Sequence, residues 1–157
     1  MNLNALEQKN SVVYLRITRA RALTEDLRSM KLLEAQVATY ELEYGLVKVS
    51  ANSMHIFFNA DAIVDLETVY QLIGISEVHF RNQSFGILLD YQQQYTIDPH
   101  ALNFLAKIEH FKGLALLTHQ QKAILNFGII KLFFEKPIEV FFSQENADLW
   151  LSSKIGN

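Results

Sequence analysis

A chain of 157 residues, half of them hydrophobic and 20% charged, has the size and composition of one globular domain with a core of its own. A net charge of −3 argues against a nucleic-acid surface, and the lack of cysteine excludes disulfides, thiol nucleophiles and thiolate metal sites. The opening MNLNALEQKN carries an acid and no apolar run, unlike a signal peptide, and no stretch reaches the roughly 20 apolar residues of a membrane span; the expectation is a cytoplasmic protein with neither nucleic acid nor membrane as partner.

Residues 1–36 differ from the remainder. Lys9, Arg16, Arg19, Arg21, Arg28 and Lys31 make them basic, while the rest of the chain is acidic. SVVYLRI reads as a short strand. Thr24 reads as a helix N-cap with Glu25 and Asp26 in the first turn, followed by a stripe of Leu27, Met30 and Leu33. This segment is expected to be an arm or lead-in helix, with a basic docking arm as the functional alternative, and Met30 also fits a second start. The domain proper is expected over residues 37–157.

From Val37 the pattern is cleaner. Ala38, Tyr40 and Leu42 alternate with Thr39, Glu41 and Glu43, as in a half-buried strand. Tyr44-Gly45 permits a bend, LVKVS continues extended, Asn52-Ser53 turns the chain, and Met54, Ile56 and Phe58 return in an antiparallel hairpin. Asp65 caps a helix to about His79, with Leu66, Val69, Tyr70, Leu72 and Ile73 at helical spacing. Residues 85–89 are a continuous apolar run ending at Asp90, which predicts a strand buried on both faces. After YQQQYTI, Asp98 and Pro99 supply an N-cap and a first helical residue, with Leu102, Leu105 and Ile108 facing inward.

Residues 113–117 predict a second buried strand. Residues 120–134 predict an apolar helix that turns Ala123, Ile124, Phe127, Ile130 and Phe133 to the sheet, and Lys136-Pro137 stops it. The Phe-rich strip 127–142 reads as core. Residues 138–142 form the last strand, and Ser143 caps a final helix with Ala147, Trp150 and Leu151 inward. The order predicts an α/β fold: a mixed sheet with an N-terminal antiparallel hairpin, then alternating helices and largely parallel strands.

Four segments carry a family resemblance over residues 37–152: ELEYGLVKVS, ILLDYQQQYTIDPHALNFLA, AILNFGIIKLFF followed by KPIEVF, and ADLWL. In this order and spacing they resemble the STAS fold of bacterial anti-anti-sigma factors, in particular an uncharacterised bacterial group of stand-alone STAS-like domains. In anti-anti-sigma factors the strand–loop–helix carries an Asp, a loop, and then Asp-Ser-Ser-Gly, whose second Ser is phosphorylated by a partner kinase. Asp90 and Asp98 match the two aspartates. Pro99 and His100 stand at the serines, and Ala101 at the glycine. The resemblance therefore implies a regulatory scaffold without its phosphoacceptor, with Thr96 as the remaining hydroxyl beside the switch apart from Tyr91 and Tyr95.

The five histidines show no pair at metal-ligand spacing, so neither a metal nor a cofactor is expected. Asp90, Tyr91, Gln92, Gln93, Gln94, Tyr95, Thr96, Asp98, His100, Thr118 and His119 all follow strand ends where open α/β sheets bind ligands. An enzyme using Asp90, Asp98 and His100 is the weakest reading, because no nucleophile elbow and no glycine-rich loop accompanies them. Three amides between two tyrosines suit adaptable protein contact. The leading expectation is a non-catalytic interaction domain docking a protein partner through loop 90–100, with Tyr91 and Tyr95 dispensable for folding. The alternative is a binder of an apolar or nucleotide-like small molecule at the rim of residues 90–100 and 118–122. A homodimer is also expected to be possible through the edge of the first strand.

Overall fold

Residues 36–156 are described by the computed structural model of the chain, and the strand, helix and start readings for the N-terminal arm lie outside them. The alternating segment yields three strands rather than two: β1 (Gln36–Leu42), β2 (Gly45–Ser50) and β3 (Ser53–Phe58). The expected bend at Tyr44-Gly45 is a full reversal, so Leu42 pairs with Gly45 and Tyr40 with Val47 across a tight hairpin. The core-facing set shifts from Ala38, Tyr40 and Leu42 to Val47 and Val49 across the turn, a change of phase that a bend or bulge explains as well as a reversal does. Next come β4 (Ile63–Val64), α1 (Leu66–His79), β5 (Phe85–Asp90), β6 (Thr96–Ile97), α2 (Pro99–Ala106), β7 (Phe111–Leu117), α3 (Gln121–Ile130), β8 (Ile138–Phe141) and α4 (Gln144–Ile155).

The main sheet has the order β1-β2-β3-β5-β7-β8. The first two pairings are antiparallel and the other three parallel. This is the expected mixed α/β sheet with its antiparallel edge. Helices close it from both sides. Val69, Leu72 and Ile75 of α1, Leu102 and Leu105 of α2, and Phe127 of α3 share one core with Val47, Ile56, Ile87, Leu89, Leu114 and Leu116. On the opposite face Ala147 and Leu151 of α4 pack on Leu88, Ala115 and Leu117. Ile87 and Leu89 point one way and Leu88 the other, which is why β5 reads as an unbroken apolar run.

α4 reaches the sheet because two glycines lie beneath it. Gly86 pairs with Gly113. A Cβ on Gly86 would come within 2.8 Å of Leu151 Cδ2, and one on Gly113 within 3.2 Å of the Trp150 ring. Asp65, Asp98 and Ser143 cap α1, α2 and α4 as expected, their side chains accepting from the N–H groups of Thr68, His100 and Asn146.

α3 departs from expectation. Its regular turns end at Ile130, and residues 131–133 continue as a tighter turn in which Leu132 and Phe133 donate to the Ile129 and Ile130 carbonyls. Ala123 and Phe127 are buried with Phe134, but Phe133, expected against the sheet, is 71% exposed, and Phe142 is exposed as well. The strip 127–142 is therefore only partly core. A segment apolar on every side does not encode which side meets the sheet, and only one can.

Candidate functional site

Loop 91–98 leaves the C-terminal end of β5 and is fixed by hydrogen bonds on both flanks. The Tyr91 N–H donates to the Leu117 carbonyl at 2.8 Å. Thr118, fully buried, donates its hydroxyl to the Tyr91 carbonyl and accepts from the Gln120 N–H, each at 3.1 Å, so it ties the loop to the start of α3. On the other flank the Gln94 carbonyl accepts from Asp61, and the Thr96 and Asp98 N–H groups donate to the Ala62 and Val64 carbonyls. The last two belong to a short parallel pairing of β4 with β6.

The two tyrosines build the loop from inside. Tyr95 is 6% exposed, with its ring 4.9 Å from that of Phe58 and 4.4 Å from that of Tyr91. The Tyr91 hydroxyl donates to the Tyr95 carbonyl at 2.9 Å. Burial, helped by Tyr91 and Asp90 nearby, pushes the Tyr95 phenol above its usual range, so it stays protonated. The expectation that both rings offer contact area and can be deleted without harm to the fold therefore does not suit Tyr95. What the loop shows to solvent is Gln92, Gln93, Gln94 and Thr96, with Asp98 and His100 beside them on α2. His119 is exposed too, its ring 5.9 Å from that of Phe142.

Between this loop and α3 lies an open cleft of about 610 Å³. Tyr91, Tyr95 and Phe127 contribute aromatic lining, Ile97, Ile129 and Ile130 aliphatic lining, and Gln94, Thr96, Gln120, Lys122 and Asn126 polar lining. Of the rim residues expected from the sequence, Tyr91, Gln94, Tyr95 and Thr96 line this cleft, while Asp90, Gln92, Gln93, Asp98, His100, Thr118 and His119 do not, and α3 forms the other wall as far as Ile130. The signal on the outward side of α3 is weak, since only Gln121, Lys122 and Asn126 interrupt its apolar residues.

Asp90, Asp98 and His100 do not converge. Asp98 is the exposed cap of α2, on the side of the main core, and its Oδ1 accepts from the His100 backbone rather than from the imidazole. Asp90 turns to the α4 side, where its Oδ2 lies 3.6 Å from His55 Nε2. Burial raises the Asp90 carboxyl, while burial and the Lys48 charge lower His55 to about 4. Desolvation on both sides outweighs their attraction, leaving a neutral imidazole beside the carboxylate, stacked on Phe57 at 4.1 Å. The two are 35 positions apart in sequence and meet because the parallel pairing of β3 with β5 registers His55 with Leu88 and Phe57 with Asp90.

Among the described residues no three His, Asp or Glu side chains gather as a metal-binding group, and no helix is long and apolar enough to cross a membrane. No protein-family model matches the chain, and no curated protein matches it. The chain is similar to a solved structure, that of an uncharacterized DUF3478-family protein with a SpoIIAA-like fold from Shewanella loihica PV-4. Identity is 14%, the TM-score is 0.46, and the match covers 73% of this chain and 90% of that one. The fold itself is a mixed α/β sheet, antiparallel at one edge and parallel beyond it, as the order of elements predicted.

Proposed function

We propose that this chain is a non-catalytic regulatory domain that docks a protein partner at the rim formed by loop 91–98 and α3. The observation that carries the reading is the cleft: a concavity at the C-terminal ends of parallel strands, walled by a hydrogen-bonded loop and an apolar helix. Its polar side chains are the amides of Gln94, Gln120 and Asn126, the Thr96 hydroxyl and the two tyrosines, Lys122 and Asp61, with no histidine among them. Such groups orient a bound segment, and no carboxylate–imidazole pair among them supplies acid–base chemistry. The fixed loop backbone lowers the ordering cost of docking. Gln92, Gln93 and Gln94 are exposed at the lip and reach outward as adaptable donors and acceptors.

The test is a Thr96→Arg variant, which fills the cleft from an exposed position. Recovery of the native partner with tagged protein is expected to fall about tenfold or more, at unchanged unfolding temperature. Equal recovery of the same partner by Thr96→Arg and the unaltered chain sinks the proposal. The cleft volume also supports a second reading, a small apolar or nucleotide-like ligand, since about 300–1,000 Å³ is the size of small-molecule sites. A thermal-shift screen in which a compound stabilises the protein but not Thr96→Arg favours that reading.

A further inference from the structure

α3 turns an apolar stripe to solvent. Leu125 and Ile129 stand one turn apart on α3, Leu132 and Phe133 follow on the tighter turn after it, and the four are 62%, 60%, 78% and 71% exposed. The buried positions Ala123, Phe127 and Phe134 lie on the opposite side. The stripe adjoins the cleft, sharing Ile129 with its wall, but three of its four side chains stand outside the cleft lining. At ordinary side-chain areas the four residues expose roughly 500 Å², the upper range of what a monomer leaves uncovered.

We infer that this stripe is the interface of a homodimer in which α3 packs antiparallel on α3 of a second copy. Each partner of a stable dimer buries about 800 Å², and homodimer interfaces are about 65% apolar. Roughly 500 Å² of apolar stripe plus a polar rim of Lys122, Asn126 and Gln121 matches both figures. The stripe is also self-complementary. A two-fold axis at Ile129 sets Ile129 against its own counterpart and Leu125 of one copy against Phe133 of the other, as an isologous contact requires. Gly128 sits beside the axis, and a side chain there would meet open space, so the two backbones can approach closely. This is a different surface from the edge of β1, which the alternation pattern had suggested for self-association. It also goes beyond rim docking, and because Ile129, Lys122 and Asn126 line the cleft as well, a second copy and a partner in the cleft compete for that wall.

The chain contains no cysteine, so one introduced thiol is a clean probe. In analytical ultracentrifugation at tens of micromolar, the full chain is expected at twice its 18.1 kDa mass. Leu125→Glu with Leu132→Glu is expected to weaken the dimer about a hundredfold or more, at an unchanged circular dichroism spectrum, because neither side chain reaches the core. Ile129→Cys in the otherwise unaltered chain is expected to cross-link on mild oxidation, while Val78→Cys, 73% exposed on α1, is expected not to. A full chain that sediments as a monomer overturns the inference. So does a dimer that survives the double glutamate variant, which would point to β1. A monomeric Ile129→Cys variant whose thiol resists a thiol reagent overturns it too, and would give the stripe to another occupant. A monomer that still loses its partner with Thr96→Arg overturns the dimer alone.

Discussion

His55 and Asp90 show how a single side chain takes its chemistry from a neighbouring strand. His55 lies between Lys48 on β2 and Leu88 on β5, both its registered partners, with the Asp90 carboxylate alongside. The histidine is held neutral, with a folded pKa of about 4 against about 6.5 unfolded. The unfolded chain therefore binds more protons between these values, and stability rises with pH across that window. Full stability is present above about pH 6.5, and roughly 2–4 kcal/mol is lost as pH falls to 4. Asp90 acts with opposite sign over the carboxylate range, since burial raises its pKa and favours the folded state at low pH. His55→Gln removes the histidine alone and is expected to flatten the dependence of unfolding temperature on pH between 6.5 and 4. An equally steep profile in that variant would contradict the assignment. Tyr95 gives a second residue-scale expectation. Tyr95→Ala empties a site packed by Phe58 and Tyr91 and is expected to lower denaturant stability by about 3–5 kcal/mol, while Tyr95→Phe costs under about 1.5 kcal/mol, because the 3.5 Å contact of its hydroxyl with the Asp90 carbonyl is long. Equal effects of the two would mean that the hydroxyl rather than the ring holds the loop.

Elements differ in how tightly their sequence determines their packing. α4 has little apolar periodicity, yet it is held close because Gly86 and Gly113 open the sheet surface beneath Leu151 and Trp150. Gly86→Ala puts a methyl group against Leu151 at 2.8 Å and is expected to cost about 1–3 kcal/mol in urea unfolding. Pairing it with Leu151→Ala is expected to recover part of that loss, and strict additivity in the double variant would argue against direct contact. α3 is the converse case. It is rich in apolar residues, but ten regular residues present one narrow face to the core, so its surplus apolar side chains face outward. The Lys131–Glu139 ion pair at 2.8 Å, half exposed, adds little to anchoring it.

At the scale of the molecule, the mixed sheet separates two surfaces. The main core and three helices occupy one side, and α4 covers the β5–β7–β8 half of the other. The rim at the strand ends and the α3 stripe share Ile129, so a second copy on the stripe covers part of the cleft wall. β1 stands at the sheet edge as its alternation predicted, and among the described residues it pairs with β2 alone.

The sequence by itself determined the parts governed by local chemistry. Asp65, Asp98 with Pro99, and Ser143 started their helices where side-chain caps and a fixed φ dictate, and the unbroken apolar run of β5 announced a strand covered on both faces. The alternating helices and strands after the hairpin likewise followed from period and length. Only the tertiary structure decided the rest, because each remaining point depends on contacts between residues distant in sequence. The hairpin at Tyr44 required β2 to find β1, and a change of phase does not say whether the chain bends or reverses. Tyr95 turned inward because Phe58 offered a ring to pack on, though its neighbours in sequence are amides and a threonine. Asp90 met His55, not His100, because strand register rather than sequence distance sets neighbours in a sheet. Phe133 faced water because the sheet accepted the opposite side of α3.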